Sequence, residues 1–365
     1  MNVDAALAEI DGRLRDPLAA CRAGSRGVGF VGPDIPIEVL IASGRPFGHL
    51  PWRTDRATPW ADRWLESSFP YWARSILEQW HDGVFDALET VVFSRADDAS
   101  QRLYYYVREL QQSGKLRGPA PRMFDIALIP REPSLAHTEA ALLELMRALD
   151  VEADALPAAI ERANLLRRRC ALLERSRVGN GPLYERLGRT ALWTDPCAWI
   201  DSLRLPDPQP AAKRLLLAGS MPPDERLHEA AEAAGASIVA ESHALALGRL
   251  GREIDEASLP ASADARDEPV RALAKHLRAT SLAPRAFLDR GALVAERARG
   301  ARADGVVIWL TREDEALAWT APAQRRALSA AGLPVLPLTA RRWQADDDTS
   351  ERMAEFIRRC ASATA

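Results

Sequence analysis

A chain of 365 residues exceeds one typical hydrophobic core and points to two domains. It is 47% hydrophobic and 27% charged, the composition of a soluble protein with a packed interior. With 48 basic and 51 acidic residues the formal net charge is −3, so no whole-chain field recruits nucleic acid or an anionic membrane, and neither is an expected partner.

The opening "MNVDAALAEIDGRLRD" is amphipathic and carries acids, unlike a secretory signal. No apolar run approaches the ~20 residues that a membrane span needs. Cys21, Cys170, Cys197 and Cys360 are scattered, with no CxxC pair. They provide neither a disulfide framework nor the ligand spacing of a zinc or iron–sulfur site. The expectation is a cytoplasmic protein with no metal site in this chain.

In chain order, short apolar or β-branched runs alternate with helical patterns. The predicted strands are Val28–Val31, Val91–Phe93, Phe124–Leu128, Leu215–Ala218, Ser237–Ala240, Val306–Leu310 and Val335–Leu338. Strands separated by helices define an α/β fold, here two Rossmann- or flavodoxin-like parallel-sheet domains. From about His137 to Arg177 only helix is expected. Ala163, Leu166, Cys170 and Leu173 share one apolar stripe there, which makes Cys170 a core residue. The stretch "SLRLPDPQPAAKR" (Ser202–Arg214) holds three prolines and reads as a linker, with a domain boundary close to Pro210. The expected organisation is an α/β domain over 1–136, a helical segment and linker over 137–210, and a second α/β domain over 211–365.

The second domain opens with "RLLLAGSMPPDERLHEAAEAAGASIVAES". Pro222 and Pro223 suit a first helical turn, and Asp224 and Glu225 complement the helix dipole. A helix start carrying its own carboxylates is a poor phosphate cradle. Neither GxGxxG nor GxxxxGK[ST] occurs, which disfavours a nucleotide-binding Rossmann enzyme.

In open α/β sheets, ligands bind beyond the carboxyl ends of strands. Three such positions stand out. The first is the turn at Gly32 in "VGFVGPDIPIEVLIASG" (Val28–Gly44). The second is Asp97 and Asp98 in "VVFSRADDASQRLYYYVREL", and the third is Arg312, Glu313, Asp314 and Glu315 in "ADGVVIWLTREDEAL". Paired carboxylates there serve as general acids or bases or as ligands for a hard cation; elsewhere they are helix caps or solvated loops. His49 in "GRPFGHLPW" and His243 in "ESHALALG" each follow a strand, but a single histidine more often packs than binds. No GxSxG or HExxH is present.

Taken together, these stretches resemble the 2-hydroxyacyl-CoA dehydratase and benzoyl-CoA reductase family. "GFVGPDIPIEVLIASG" is similar to the family's first motif from Gly29 to Gly44, with Pro36 and Glu38 in register. "VVFSRADDASQRLYYY" and "ADGVVIWLTREDEA" look like the second and third. "LPAAIERANLLRR", "RLLLAGS" and "AAGLPVLPLTARRW" followed by "ERMAEFI" keep the family's order. The resemblance implies three cysteines holding an iron–sulfur cluster between two α/β domains, supplied with electrons by an ATP-dependent activator. In this chain those positions fall on Gly32, on Asp97 (or Ala96) and on Asp314. Carboxylates are hard ligands that do not replace thiolates around a sulfide cluster, and glycine has no ligand at all.

The leading expectation is therefore a cluster-free subunit. It binds an acyl-CoA thioester beside a homologous cysteine-bearing partner that holds the [4Fe-4S] cluster. Asp97, Asp98 and Asp314 are its candidate catalytic residues, and Gly32, Pro36, Glu38 and His49 its candidate substrate-binding residues. A non-redox binding or scaffold protein is the second reading. A hydrolase using the strand-end aspartates with a divalent metal is the third.

Overall fold

The computed structural model describes residues 3–24, 26–176, 180–190, 193, 195–203, 205, 207, 213–255, 268–284 and 286–362. Pro210, near the expected boundary, lies outside them. Among the described residues, eight strands form two four-stranded sheets, all pairs parallel. The first holds β1 (Gly27–Val31), β2 (Phe47–His49), β3 (Leu88–Ser94) and β4 (Ala120–Phe124) in the order β2-β1-β3-β4. The second repeats the pattern as β6-β5-β7-β8, from β5 (Lys213–Gly219), β6 (Ala236–Ser242), β7 (Gly305–Thr311) and β8 (Val335–Arg341). The α/β class is as expected. The central strands β1 and β7 are buried at every position, as continuous apolar runs covered on both faces must be.

The helices preceding the second sheet are α1 (Val3–Arg15), α2 (Ala19–Ala23), α3 (Ile37–Ala42), α4 (Tyr71–His81), α5 (Asp98–Gln112), α6 (Glu132–Ala148), α7 (Leu156–Arg175), α8 (Gly181–Thr190) and α9 (Pro196–Ser202). Those that follow β5 are α10 (Arg226–Ala233), α11 (Ala244–Leu250), α12 (Glu268–Thr280), α13 (Arg290–Gly300), α14 (Glu315–Ala318), α15 (Ala321–Ala330) and α16 (Thr349–Ser362). On the α7 stripe, Ala163 and Leu166 are buried, while Cys170 and Leu173 are half-buried against Cys197 and Ile200.

Three local expectations are corrected. A strand was expected to precede His49, without bounds, whereas β2 includes that residue as its last; its central Gly48 admits the Trp193 indole, which a Cβ would strike. β4 ends at Phe124 instead of starting there. Its sequence "APRMF" tolerates Pro121 because it is an edge strand, and Ile126 packs into the same core from the coil that follows. Helix α10 begins at Arg226, not at Pro222. The Pro223 carbonyl accepts hydrogen bonds from Trp52 Nε1 (2.6 Å) and Thr54 Oγ1 (3.3 Å), so that segment is held as a loop.

One apolar cluster runs through both sheets, from Val91 and Phe93 to Leu217, Val307 and Trp309. At its edge Trp343 stacks on Tyr71 at 5.7 Å and meets Trp52 edge-on at 5.9 Å. A second cluster covers the other face of the first sheet and takes in Val270, Leu273 and Leu277 of α12. A third covers the other face of the second sheet. Among the described residues no helix is long and apolar enough to cross a membrane.

Candidate functional site

Each sheet has a topological switch point, where the chain leaves one central strand to one side and the next strand lies on the other. In the first sheet this is the carboxyl end of β1 and β3, and in the second the carboxyl end of β5 and β7. Gly32 follows β1, Asp97 follows β3, Ser220 follows β5 and Asp314 lies just past β7. The two crevices face each other closely enough for the Asp97 charge to act on the Asp314 carboxyl.

Gly32 adopts φ +89°, a conformation that favours glycine. Its missing side chain leaves no gap: a Cβ there would collide with Ser100 Oγ and lie 3.0 Å from Ser94 Cβ. Ser100 donates from its hydroxyl (2.7 Å) and its backbone N–H (2.8 Å) to Asp97 Oδ2, which makes Asp97 the N-cap of α5. Burial pushes the Asp97 carboxyl above its usual range against these hydrogen bonds. Asp98, by contrast, points outward. Its side chain is 80% exposed and lies 3.6 Å from Arg102 on the same helix, so it does not join the crevice.

Across the cleft, Asp314 precedes α14 without capping it. Burial raises its carboxyl to about 6, opposed by hydrogen bonds with Ser220 and Thr311 and helped by the charges of Asp97 and Glu313. Ser220 is itself buried, and its Oγ accepts from the Thr311 N–H at 3.0 Å. Glu313 is also pushed up by burial, with Arg74 of α4 acting in the opposite sense.

His49 stands at the end of β2. Its Nδ1 lies 2.8 Å from the Leu50 carbonyl and its Nε2 accepts from the Gly32 N–H at 3.5 Å, an arrangement that sets the neutral tautomer. Burial lowers it to about 4, and the rings of Phe30 and Trp52 meet it edge-on. It therefore stays uncharged at neutral pH.

Pro36 is buried and opens α3. Glu38 is wholly buried and ion-paired with Arg167 of α7. These two hold α3 against its neighbour, and the Glu38 carboxylate is turned to α7. The turn between Gly32 and Pro36 is fixed by Asp34, at φ +62°, which accepts from the Leu282 N–H at 2.8 Å and from the Ser281 hydroxyl. So the structure gathers Gly32, His49, Asp97 and Asp314 and leaves Asp98, Pro36 and Glu38 aside. The hydroxyls of Ser94, Ser100 and Ser220 were missed by sequence reasoning. Ser94 closes β3, Ser220 follows β5 and Ser100 lies in the first turn of α5, all within stretches already read, and that placement was the available signal.

The donor set does not fit a thiolate-held cluster. Cys21 would touch a Cβ on Gly27 at the start of β1, and Cys360 one on Gly305 at the start of β7, both at the ends opposite the cleft. Cys170 and Cys197 lie on α7 and α9. Burial raises all four thiols, Cys170 to about 11, which disfavours the thiolate form.

Two facing switch-point crevices on paired parallel sheets define a two-domain α/β protein with its candidate site between the sheets. The family model for the 2-hydroxyglutaryl-CoA dehydratase D-component matches residues 34–358, and the chain belongs to that family. A comparison with individual curated proteins gives no match.

Proposed function

We propose that this chain is a component of a 2-hydroxyacyl-CoA dehydratase or benzoyl-CoA reductase-like complex. It binds an acyl-CoA thioester in the cleft beside a homologous, cysteine-bearing partner and holds no cluster of its own. An ATP-dependent activator would serve that partner. The observation that carries this reading is the convergence of the three motif positions on one cleft, with glycine and carboxylates in place of thiolates.

The chain's own residues supply shape and proton handling. Gly32 and the neutral His49 line the wall without adding charge. Asp314, raised to about 6, is mostly ionised near neutral pH and takes up a proton readily, with Ser220 and the Ser100–Asp97 pair as relays. Electron chemistry is left to the partner. An anaerobic affinity pull-down from the native host tests the assembly. A stoichiometric homologue bearing the three cysteines is expected; recovery of this chain alone, under conditions that preserve such complexes, overturns it. The second reading, a non-redox binding protein, is favoured by Ser100 filling the space beside Gly32. It predicts thioester affinity in the isolated chain.

A further inference from the structure

A second buried polar centre lies away from the cleft, on the outer flank of the second sheet. Glu185 of α8, His228 of α10 and Glu241 of β6 are each fully buried. One ligand atom from each, two carboxylate oxygens and an imidazole nitrogen, lies within 4.8 Å of the others. His228 Nε2 stands 3.0 Å from Glu241 Oε1. His243, the N-cap of α11, accepts from the Ala246 N–H through Nδ1, which leaves its Nε2–H directed at the same Glu241 oxygen at 3.4 Å.

Two carboxylates in an apolar interior need compensating charge. Among the described residues, Arg249 Nη2 lies 3.9 Å from Glu185 and 3.7 Å from Glu241, and Arg189 Nε lies 3.8 Å from Glu185. A cavity lined by Glu241, Arg249, Cys170 and Tyr184 borders the centre, giving an ion access and the guanidinium room to withdraw.

We propose that Glu185, His228 and Glu241 bind a divalent first-row transition metal, with His243 orienting Glu241 and an open coordination position toward the cavity. Two oxygens and one imidazole nitrogen suit Zn²⁺ and its neighbours better than a soft or an all-oxygen metal. Bound there, the ion would tie α8 and α10 to β6. The site is independent of the cleft and of the function proposed for it.

The test uses the full chain, stripped with a chelator and titrated with Zn²⁺ by calorimetry, with metal content measured after dialysis. One equivalent is expected in the unmodified chain, and Glu241→Gln or His228→Gln should weaken binding by more than about 10-fold. Asp97→Asn, in the cleft, should leave it unchanged. Arg249→Met should tighten binding, because a like charge is removed. Failure of the unmodified chain to retain Zn²⁺ overturns the proposal, whether or not any variant folds. Co²⁺ substitution adds an independent readout: a thiolate charge-transfer band would move the metal to Cys170 and overturn the assignment, whereas d–d bands without it support the nitrogen and oxygen set.

Discussion

Asp314 is held in an environment that penalises its charge. Its carboxyl rises from 3.8 to about 6, so the folded protein binds that proton more tightly than the unfolded chain does. The resulting stabilisation is fully present below the unfolded value and is lost as pH rises through about 6. At neutral pH the ionised group is a burden of at most about 3 kcal/mol. Asp314→Asn keeps an oxygen for the Ser220 hydroxyl and removes the charge. Urea denaturation should find the variant more stable than the parent near pH ~7.5, with the gap closing toward pH ~4. Equal stability across that range would mean that Asp314 is well solvated. Gly32 makes a different prediction. Gly32→Cys places a side chain at φ +89° and against Ser100 Oγ, so two costs add: about 1 kcal/mol for the backbone and about 1–3 kcal/mol for overpacking. Ser100→Gly in the same chain should relieve only part of the second cost, because Ser94 still crowds the new side chain and Asp97 loses a hydroxyl donor. A motif cysteine therefore cannot be restored at position 32 by one substitution without loss of stability.

At the scale of elements, α7 organises the wall behind the cleft. Arg167 ion-pairs with Glu38 of α3, and Asn164 exchanges hydrogen bonds with both backbone groups of Ile254. Arg167→Met would strand the Glu38 carboxylate in the interior, a loss of about 3–5 kcal/mol, whereas Arg167→Met with Glu38→Leu should cost far less. Chemical denaturation of the three variants separates an uncompensated charge from lost packing. This clamp also shows what sequence could not reveal, since its partners are 129 positions apart and neither carries a local signal. Strands β1, β3, β5, β6 and β7 were legible because burial on both faces leaves a nearly continuous apolar pattern. Even so, the "FDIAL" run placed β4 too late, for apolar residues such as Ile126 are buried in coil as well as in strand. The strand-end carboxylates were legible by position. Which of two adjacent ones faces inward was not: Asp97 caps α5 and Asp98 faces solvent, a difference set by the helix turn they share.

For the whole molecule, the cleft is placed by contacts that pin the two sheets together on both sides of it. On one side Asp34 accepts from Ser281 and Leu282; on the other, Trp52 and Thr54 hold Pro223 while Trp343 fills the space between Trp52 and Tyr71. The chain also crosses over, since α12 follows the second sheet's β6 in sequence yet packs with α6 on the first. A continuous apolar cluster plus such crossing makes the two halves unfold together. Calorimetry of the intact chain should then give one transition whose calorimetric and van't Hoff enthalpies agree. Trp343→Ala removes a nearly buried indole and its hydrogen bond to the Met221 carbonyl, at about 3–5 kcal/mol. If the aromatic junction couples the sheets, that variant should broaden or split the transition. Asp55→Ala, which removes only the exposed partner of Arg226 at the same seam, should leave one transition with a change of about 1 kcal/mol or less. A single sharp transition in Trp343→Ala, shifted down as a whole, would instead place the coupling in α12 and the shared core. The geometry of the cleft would then be set by the packing beneath it and not by the aromatic seam at its rim.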